Sequence, residues 1–307
     1  MEGILSVLKP PGMTSHDVVS FLRRKLAVRK VGHTGTLDPL AAGVLVLCIG
    51  RATRIARFLR DDKAYRAEFV LGVSTTTGDA QGEMVKVKPV VHLDREQLTA
   101  VLDEFTGPMI QVPPMTSARK VGGKKLYELA RRGLEVPREP RPVEIYRLRL
   151  VAIRSECTAH PRVMIDVACS KGTYIRTLCA DIGARMGYGA YMSFLVRTAV
   201  GPFSVAVART LEEIDTLAGS GALVEVLIPI DSALEHLPVV RVRPGAARAV
   251  LSGRPLYPPG IAAVPAQVKD FVRLSDGADL LAVARPVDRN AAPERSVFQP
   301  VWVRGRP

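Results

Sequence analysis

Apolar residues recur along the chain in two patterns, one typical of strands and one of helices. Alternating or continuous apolar runs predict strands over residues 4–8, 44–49, 63–71, 143–153, 163–169 and 195–201. Apolar positions at helical spacing predict amphipathic helices over residues 18–26, 51–59 and 93–105. Thr14, followed three residues later by Asp17, predicts the start of the first helix.

Residues 113–141 do not follow either pattern. They contain eight Lys or Arg against three Glu, are rich in Pro and Gly, and have helical character only over residues 125–132. Such a segment cannot bury much apolar surface and suits a basic arm that settles on a polyanion.

The tail beyond residue 238 is predicted to form a small unit of its own. It contains a short helix over residues 244–251 with Gly253 as its stop, a hairpin around Asp276-Gly277 and a last strand over residues 297–303.

Charge adds the first functional indication. The chain has 307 residues and a formal net charge of +13, which favours a polyanionic partner, with nucleic acid preferred to an acidic membrane surface. Apolar content of 47% and charged content of 24% are those of an ordinary globular protein. Neither a signal-like N-terminus nor an apolar run long enough to span a bilayer is found, so we expect a soluble, cytoplasmic protein.

Metal and cofactor motifs are missing from the sequence. The four cysteines form no Cys-x-x-Cys pair and are expected to be reduced and mostly buried, while Cys157 with His160 makes only half of a zinc pattern. There is no Walker A sequence, dinucleotide-binding glycine pattern or His-Glu-x-x-His motif, and aromatics make up only 5% of residues. We therefore expect neither a metal nor a cofactor.

The segment from Gly32 to Gly43 is the best candidate for chemistry. It contains Asp38 among three glycines and runs straight into the apolar strand predicted over residues 44–49, so the carboxylate lies on a tight loop beside a core strand. A turn-forming or helix-capping Asp would look the same. Because the chain has only five histidines, a carboxylate is the leading candidate for the reactive group.

Four segments together resemble a known family. They are Lys9-Pro-Pro-Gly-Met-Thr-Ser15, Gly32-His-Thr-Gly-Thr-Leu-Asp-Pro-Leu-Ala-Ala-Gly43, Lys63-Ala-Tyr-Arg66 and Ser170-Lys-Gly-Thr-Tyr-Ile-Arg176. These are similar to the motifs of the TruB family, bacterial tRNA pseudouridine synthases that act on the uridine of the T-loop. The similarity runs from Gly3 to about Leu237, and the tail resembles a PUA-type RNA-binding domain more weakly.

The resemblance implies an α+β fold with a mixed, largely antiparallel central sheet flanked by helices. Residues 1–237 would form the catalytic domain, with an inserted RNA-clamping arm at about 110–145, and residues 238–307 a small, β-rich PUA-like domain.

The resemblance also implies roles for individual residues. Asp38 matches the catalytic aspartate, Arg176 the arginine that pairs with it, and Tyr65 the tyrosine that stacks on the flipped base. Tyr174 and Leu195 match residues that line the uridine pocket.

Two further positions match supporting residues of the family. His33 corresponds to the histidine that contacts the opened T-loop, and Lys9 belongs to a motif near the site. The RNA-binding positions of the arm would be Arg119, Lys120, Lys124, Lys125, Arg131 and Arg132. Thr116 departs from the family pattern, in which a tyrosine is often found.

The implied partner is the T-arm and elbow of tRNA, bound by a monomer without a metal, a small-molecule cofactor or a membrane. Three alternatives stay open at this point: a pseudouridine synthase acting on another RNA, a glycosylase that releases the base, and a non-catalytic tRNA-binding or chaperone protein. A glycosylase would be recognised by the release of free uracil. A tRNA-binding or chaperone protein would be recognised by a function that does not need Asp38.

Overall fold

A nine-stranded sheet forms the centre of the computed structural model, which describes residues 1–268, 270–288 and 292–305. In chain order the strands are β1 (Gly3–Lys9), β2 (Val31–His33), β3 (Ala42–Ile49), β4 (Lys63–Leu71), β5 (Val73–Thr75), β6 (Met84–Val87), β7 (Gly107–Gln111), β8 (Lys120–Val121), β9 (Lys124–Lys125), β10 (Arg141–Arg154), β11 (Arg162–Cys169), β12 (Ala190–Val200), β13 (Phe203–Ser204), β14 (Val239–Val242), β15 (Ile261–Ala263), β16 (Val272–Ser275), β17 (Leu280–Pro286) and β18 (Phe298–Val303). The helices are α1 (Ser15–Leu26), α2 (Arg95–Glu104), α3 (Leu126–Ala130), α4 (Ile175–Arg185), α5 (Leu211–Gly219), α6 (Ile230–Ala233) and α7 (Pro244–Leu251). Among the described residues, every helix is too short or too polar to traverse a bilayer.

The central sheet is mixed and mostly antiparallel, which confirms the predicted fold class. Its strand order is β1-β3-β12-β4-β11-β10-β7, with β2 beside β3 and β13 beside β12. Strands β3 and β12 run parallel, and the neighbouring pairs of this sheet run antiparallel. This parallel contact brings the loop before β3 next to the middle of β12.

Helix α1 begins where the sequence predicted. The Thr14 hydroxyl accepts from the Asp17 amide at 3.1 Å, and the Asp17 carboxylate accepts from the Thr14 amide at 2.8 Å, a complete capping box. Val18 and Leu22 are buried on the inner face of the helix. The cap therefore fixes the chain between β1 and α1, ahead of the loop that contains Asp38.

The predicted α-helix over residues 51–59 is wrong. The structure has two 3₁₀ helices there, Gly50–Arg54 and Ala56–Phe58. Ala52, Ile55 and Phe58 are buried, and their spacing of three matches the three residues per turn of a 3₁₀ helix better than the α-helical period.

Strand β12 is longer than predicted, since it begins at Ala190 rather than at residue 195. Ala190 and Met192 are buried, while Tyr191 and Ser193, the residues that follow each of them, are half-buried. That alternation is a strand pattern with a partly solvated face.

The basic arm lies between β7 and β10 and forms a β8–β9 hairpin followed by α3. Its helix is shorter than the predicted 125–132, because Lys125 is the N-cap and Arg131 the C-cap. The side chains of Leu126 and Leu129 are its buried anchors.

A second sheet, of order β15-β14-β16-β17-β18, is built from the tail. Helix α7, the hairpin of β16 and β17 and the last strand occur as predicted. Trp302 and Leu280 pack in one apolar cluster with Ile4 and Phe58 of the first part of the chain. The division into domains at residue 237 stays a prediction.

Candidate active site

The loop between β2 and β3 holds Asp38 by its backbone on both sides. The Ser15 hydroxyl accepts from the Leu37 amide at 2.8 Å and donates to the Leu37 carbonyl at 3.1 Å. The Gly12 amide donates to the Pro39 carbonyl at 2.8 Å, and a turn closes from Asp38 to Ala41 through a 3.1 Å hydrogen bond. The carboxylate therefore projects from a fixed turn.

Arg176, in the first turn of α4, makes an ion pair with Asp38. Its Nε lies 3.1 Å from Oδ2 of the carboxylate, and one of its terminal nitrogens lies 3.3 Å from Oδ2 of Asp79. The Arg176 side chain is 6% exposed, whereas that of Asp38 is 41% exposed. The cation is thus buried behind a carboxylate that faces solvent.

Backbone and hydroxyl oxygens hold the rest of the Arg176 guanidinium. It donates to the carbonyl and the hydroxyl of Thr116, with 3.0 Å to the carbonyl, and to the Thr77 carbonyl at 3.3 Å. Asp79 is fixed in turn, since its Oδ1 accepts from the Thr77 hydroxyl at 2.6 Å and the Gln81 amide at 3.0 Å. One arginine therefore joins the Asp38 loop, the loop after β5 and the base of the arm.

The start of α4 is held by Gln111, at the end of β7. Its side-chain amide donates to the Tyr174 carbonyl at 3.1 Å, and its oxygen accepts from the Tyr174 amide at 2.8 Å. This pair of hydrogen bonds fixes the backbone just ahead of Arg176.

Tyr65 and Leu195 lie on neighbouring strands of the central sheet, β4 and β12. Both are buried in the same apolar cluster as Leu37 and Ala41 of the Asp38 loop. Burial raises the pKa of the Tyr65 hydroxyl to about 12. The ring is therefore a neutral, apolar surface at neutral pH, beside the loop that carries the carboxylate.

Lys9 is completely buried at the end of β1. Its ammonium donates to the carbonyls of Pro10, Met13 and Pro39 at 2.9, 2.7 and 3.1 Å. Burial lowers the pKa of Lys9 to about 8, although the nearby Asp38 acts in the opposite direction. Lys9 thereby ties the Pro-Pro-Gly turn to the residue that follows Asp38.

His33 lies at the end of β2, and its Nδ1 is buried without a hydrogen-bond partner among the described residues. Burial lowers the pKa of its imidazole, and the cation of Arg197 lowers it further. The buried Nδ1 is therefore an unsatisfied polar group, which costs free energy.

The arm contributes to a cavity of about 440 Å³ next to Tyr174. Its lining includes Arg119 and Lys120 of the arm, Arg141 of β10 and Gly172. The other predicted arm cations lie outside this cavity. Lys125 and Arg131 contact the ring of Tyr127, at 5.3 and 5.5 Å from its centroid.

Several contacts of this site do not follow from the sequence patterns. Asp79 lies in a loop of Thr and Gly, a composition like that of the Asp38 loop, and this likeness is a signal that could have found it. Ser15 lies in one of the family-like segments and Thr116 at a position that departs from the family pattern, but neither observation predicts the contact that the residue makes. Gln111 gives no signal, because a polar residue that binds backbone groups carries no distinctive spacing.

Two family models match the chain. The one described as TruB family pseudouridylate synthase (N terminal domain) covers residues 23–175, and the one described as tRNA pseudouridylate synthase B C-terminal domain covers residues 176–235. The tRNA pseudouridine synthase B of Pelotomaculum thermopropionicum is 50% identical over 309 residues, covering 100% of this chain and 98% of that protein. The same enzyme of Symbiobacterium thermophilum is 54% identical over 254 residues, 82% of each.

Solved structures agree with this relationship. A structure of an H/ACA RNP bound to a substrate RNA containing 2′-deoxyuridine contains a chain with a TM-score of 0.74 and 28% identity, covering 98% of this chain and 84% of that one. A Cbf5-Nop10-Gar1 complex gives a TM-score of 0.74 at 29% identity, covering 96% and 83%. By its sequence and by its fold, the chain belongs to the TruB family of pseudouridylate synthases.

Proposed function

We propose that this protein isomerises a uridine in the T-loop of tRNA to pseudouridine, with Asp38 as the catalytic carboxylate. The observation that carries the proposal is the ion pair of Asp38 with the buried Arg176, 3.1 Å apart, beside the apolar surface of Tyr65 and Leu195. The substrate class is supported by relatives of about half identity that are named tRNA pseudouridine synthase B.

The reaction needs a group that can act on a glycosidic bond. The C1′–N1 bond of the uridine breaks, the uracil turns, and a C1′–C5 bond forms while C5 loses a proton and N1 gains one. A carboxylate can form a covalent adduct or stabilise cationic character at the sugar, as acidic residues do in glycosidases. Asp38 is the exposed carboxylate of the site, and Arg176 holds it in place.

The target base must leave its stack to reach Asp38, which costs a few kcal/mol. Tyr65 would offset this cost by stacking on the flipped base, with Tyr174 and Leu195 lining the pocket. His33, half-buried at the end of β2, would contact the RNA from which the base has turned out. Lys9 would act through the backbone by fixing the turn after Asp38.

The arm and the tail would supply affinity for the RNA backbone. Arg119, Lys120 and Arg141 line a cavity beside Tyr174, where a phosphate close to the target uridine could be neutralised. Lys124, Lys125, Arg131 and Arg132 would meet phosphates further along the T-arm. Residues 238–307 would form a second, PUA-like RNA-binding unit that reaches the elbow.

Mapping of the product tests this proposal. The purified protein is incubated with an unmodified tRNA transcript, and the position of pseudouridine is then determined. We expect a single pseudouridine at the T-loop uridine, formed by a monomer without added metal or cofactor. Release of free uracil, or pseudouridine only in another RNA, would overturn it, and so would undiminished activity after Asp38→Asn.

A further inference from the structure

Arg197, on β12, is the largest fully buried side chain in the described part of the chain, with 1% of its surface exposed. Burial lowers the pKa of its guanidinium, yet an arginine in a protein keeps its charge. Tyr65 and the carboxylate of Asp38 favour its charged form, but no carboxylate of the described residues lies close enough to make an ion pair with it. A buried, unpaired charge is costly and therefore calls for a physical reason.

The guanidinium instead joins both ends of the loop that carries Asp38. It donates to the carbonyls of Gly35 and Thr36 at 3.0 and 3.2 Å, just before Asp38, and through Nε to the carbonyl of Val44 at 2.7 Å, just after the loop. Because the three carbonyls bind one rigid, planar guanidinium, the distance between the two ends of the loop is fixed. The ammonium of a lysine could not hold them in the same geometry.

The backbone around Gly43 is built for this contact. Arg197 and Gly43 are partners across the parallel β3–β12 pair, and Gly43 has φ +110°. A Cβ at residue 43 would lie 2.2 Å from the Arg197 carbonyl oxygen. The glycine thus lets β12 approach closely enough for the guanidinium to reach under the loop.

The same guanidinium also meets Tyr65. Arg197 and Tyr65 are register partners across the β12–β4 pair, and the tyrosine hydroxyl interacts with the arginine side chain. A single side chain therefore contacts the loop of the carboxylate and the ring that would stack on the base.

We propose that Arg197 is a positioning residue that sets the distance and angle between Asp38 and the Tyr65 ring for the isomerisation. This inference rests on the proposed function. Charge compensation of Asp38 is the task of Arg176, which contacts the carboxylate directly, whereas Arg197 acts through the backbone of the loop and through Tyr65. A catalytic carboxylate misplaced by about 1 Å can cost on the order of 10²-fold in rate.

The test is single-turnover isomerisation of a tRNA transcript by the full chain, with the enzyme in saturating excess. Arg197→Lys keeps the charge but not the planar fork, and Arg197→Gln keeps a planar amide without the charge. We expect the rate constant to fall about 10²-fold in both variants, with RNA affinity within about threefold of wild type. A purely structural role would instead lower the folded fraction and leave the rate constant of the folded enzyme unchanged.

Arg185→Gln is the matched control, because the Arg185 guanidinium is likewise held by two hydrogen bonds, here to the Glu104 carboxylate, but lies at the end of α4 opposite to Arg176. Its rate constant should equal that of wild type. If Arg197→Lys does not fold, Arg197→Gln decides the question. Wild-type rate constants in the folded Arg197 variants would overturn the inference alone, whereas a wild-type protein that makes no pseudouridine would overturn the proposed function and this inference together.

Discussion

The carboxylate of Asp38 meets the guanidinium of Arg176 at 3.1 Å, and the two side chains differ sharply in exposure, 41% against 6%. Arg176 is anchored from behind by Thr116, Thr77 and Asp79. The pair therefore has one fixed, buried end and one end open to an incoming nucleotide, which is the arrangement that a nucleophile or a charge stabiliser requires.

Replacing Asp38 by Asn should abolish isomerisation while RNA binding persists, because the amide keeps the size of the side chain but not its charge or nucleophilicity. We expect a loss of at least about 10³-fold in tritium release from C5-labelled tRNA, with the dissociation constant for tRNA within a few-fold of wild type. Asp103→Asn, at an exposed position of α2, is the control. Turnover at the wild-type rate by the Asp38 variant would remove the carboxylate from the mechanism.

Thr116→Val should slow the reaction without weakening RNA binding. The valine removes the hydroxyl that accepts from Arg176 while the hydrogen bond to the carbonyl of the same residue stays. Because a hydrogen bond to a charged group is lost, we expect kcat to fall about tenfold, which corresponds to about 1.4 kcal/mol in the activation free energy. Thr116→Ser, which keeps the hydroxyl, should behave as wild type, and equal rates for the two variants would contradict the role given to this hydroxyl.

Neutralising the arm should weaken tRNA binding and reduce its salt dependence. The four changes are Lys124→Gln, Lys125→Gln, Arg131→Gln and Arg132→Gln. For every phosphate that the arm no longer neutralises, the slope of log affinity against log salt concentration should become shallower by about one unit. Binding is measured by filter retention over a range of salt concentrations.

The matched control for the arm removes the same number of charges from exposed positions elsewhere, namely Lys86, Arg95, Arg147 and Arg154. It lowers the net charge by the same amount as the arm variant. Because these positions lie outside the arm, we expect it to change the slope less than the arm variant does. Equal slopes for the two variants would mean that overall charge, rather than the arm, governs binding.

Lys9 should make stability depend on pH in the alkaline range. Its pKa is lowered by burial to about 8 from an ordinary value of 10.5, so between these values the unfolded chain binds more protons than the folded one. The free energy of unfolding should therefore rise with pH across this window, by at most about 1.4 kcal/mol per pH unit from this group.

Lys9→Met removes this contribution. Urea unfolding of both proteins at pH 7, 8, 9 and 10 should give a variant that is less stable than wild type throughout, because three carbonyls lose their donor. The stability difference should grow above pH 8. A difference that stays constant with pH would show that Lys9 has its ordinary pKa in the folded state.

Much of the fold follows from local patterns. The capping box of Thr14 and Asp17, the strand around Tyr65 and the helix from Pro244 depend on neighbours in sequence, and such signals can be read directly. The 3₁₀ helices that begin at Gly50 could not be predicted in this way, because three buried residues at a spacing of three resemble one face of an α-helix.

The site divides in the same way. The loop around Asp38 is recognisable from its motif, but the anchors of Arg176 come from two distant segments, the loop after β5 and the base of the arm, which only the tertiary structure brings together. Arg197 is visible as one charge inside an apolar strand, yet nothing in the sequence tells what it binds. A polar residue whose partners are backbone carbonyls leaves no trace in residue identity.

The parallel pairing of β3 with β12 has a consequence for synthesis on the ribosome. The turn that carries Asp38 is translated early, but its supports, Arg176 and Arg197, emerge well over a hundred residues later. Contacts of such long sequence separation form late in folding. The contacts that hold the Asp38 loop therefore cannot be complete in a nascent chain until β12 has left the exit tunnel.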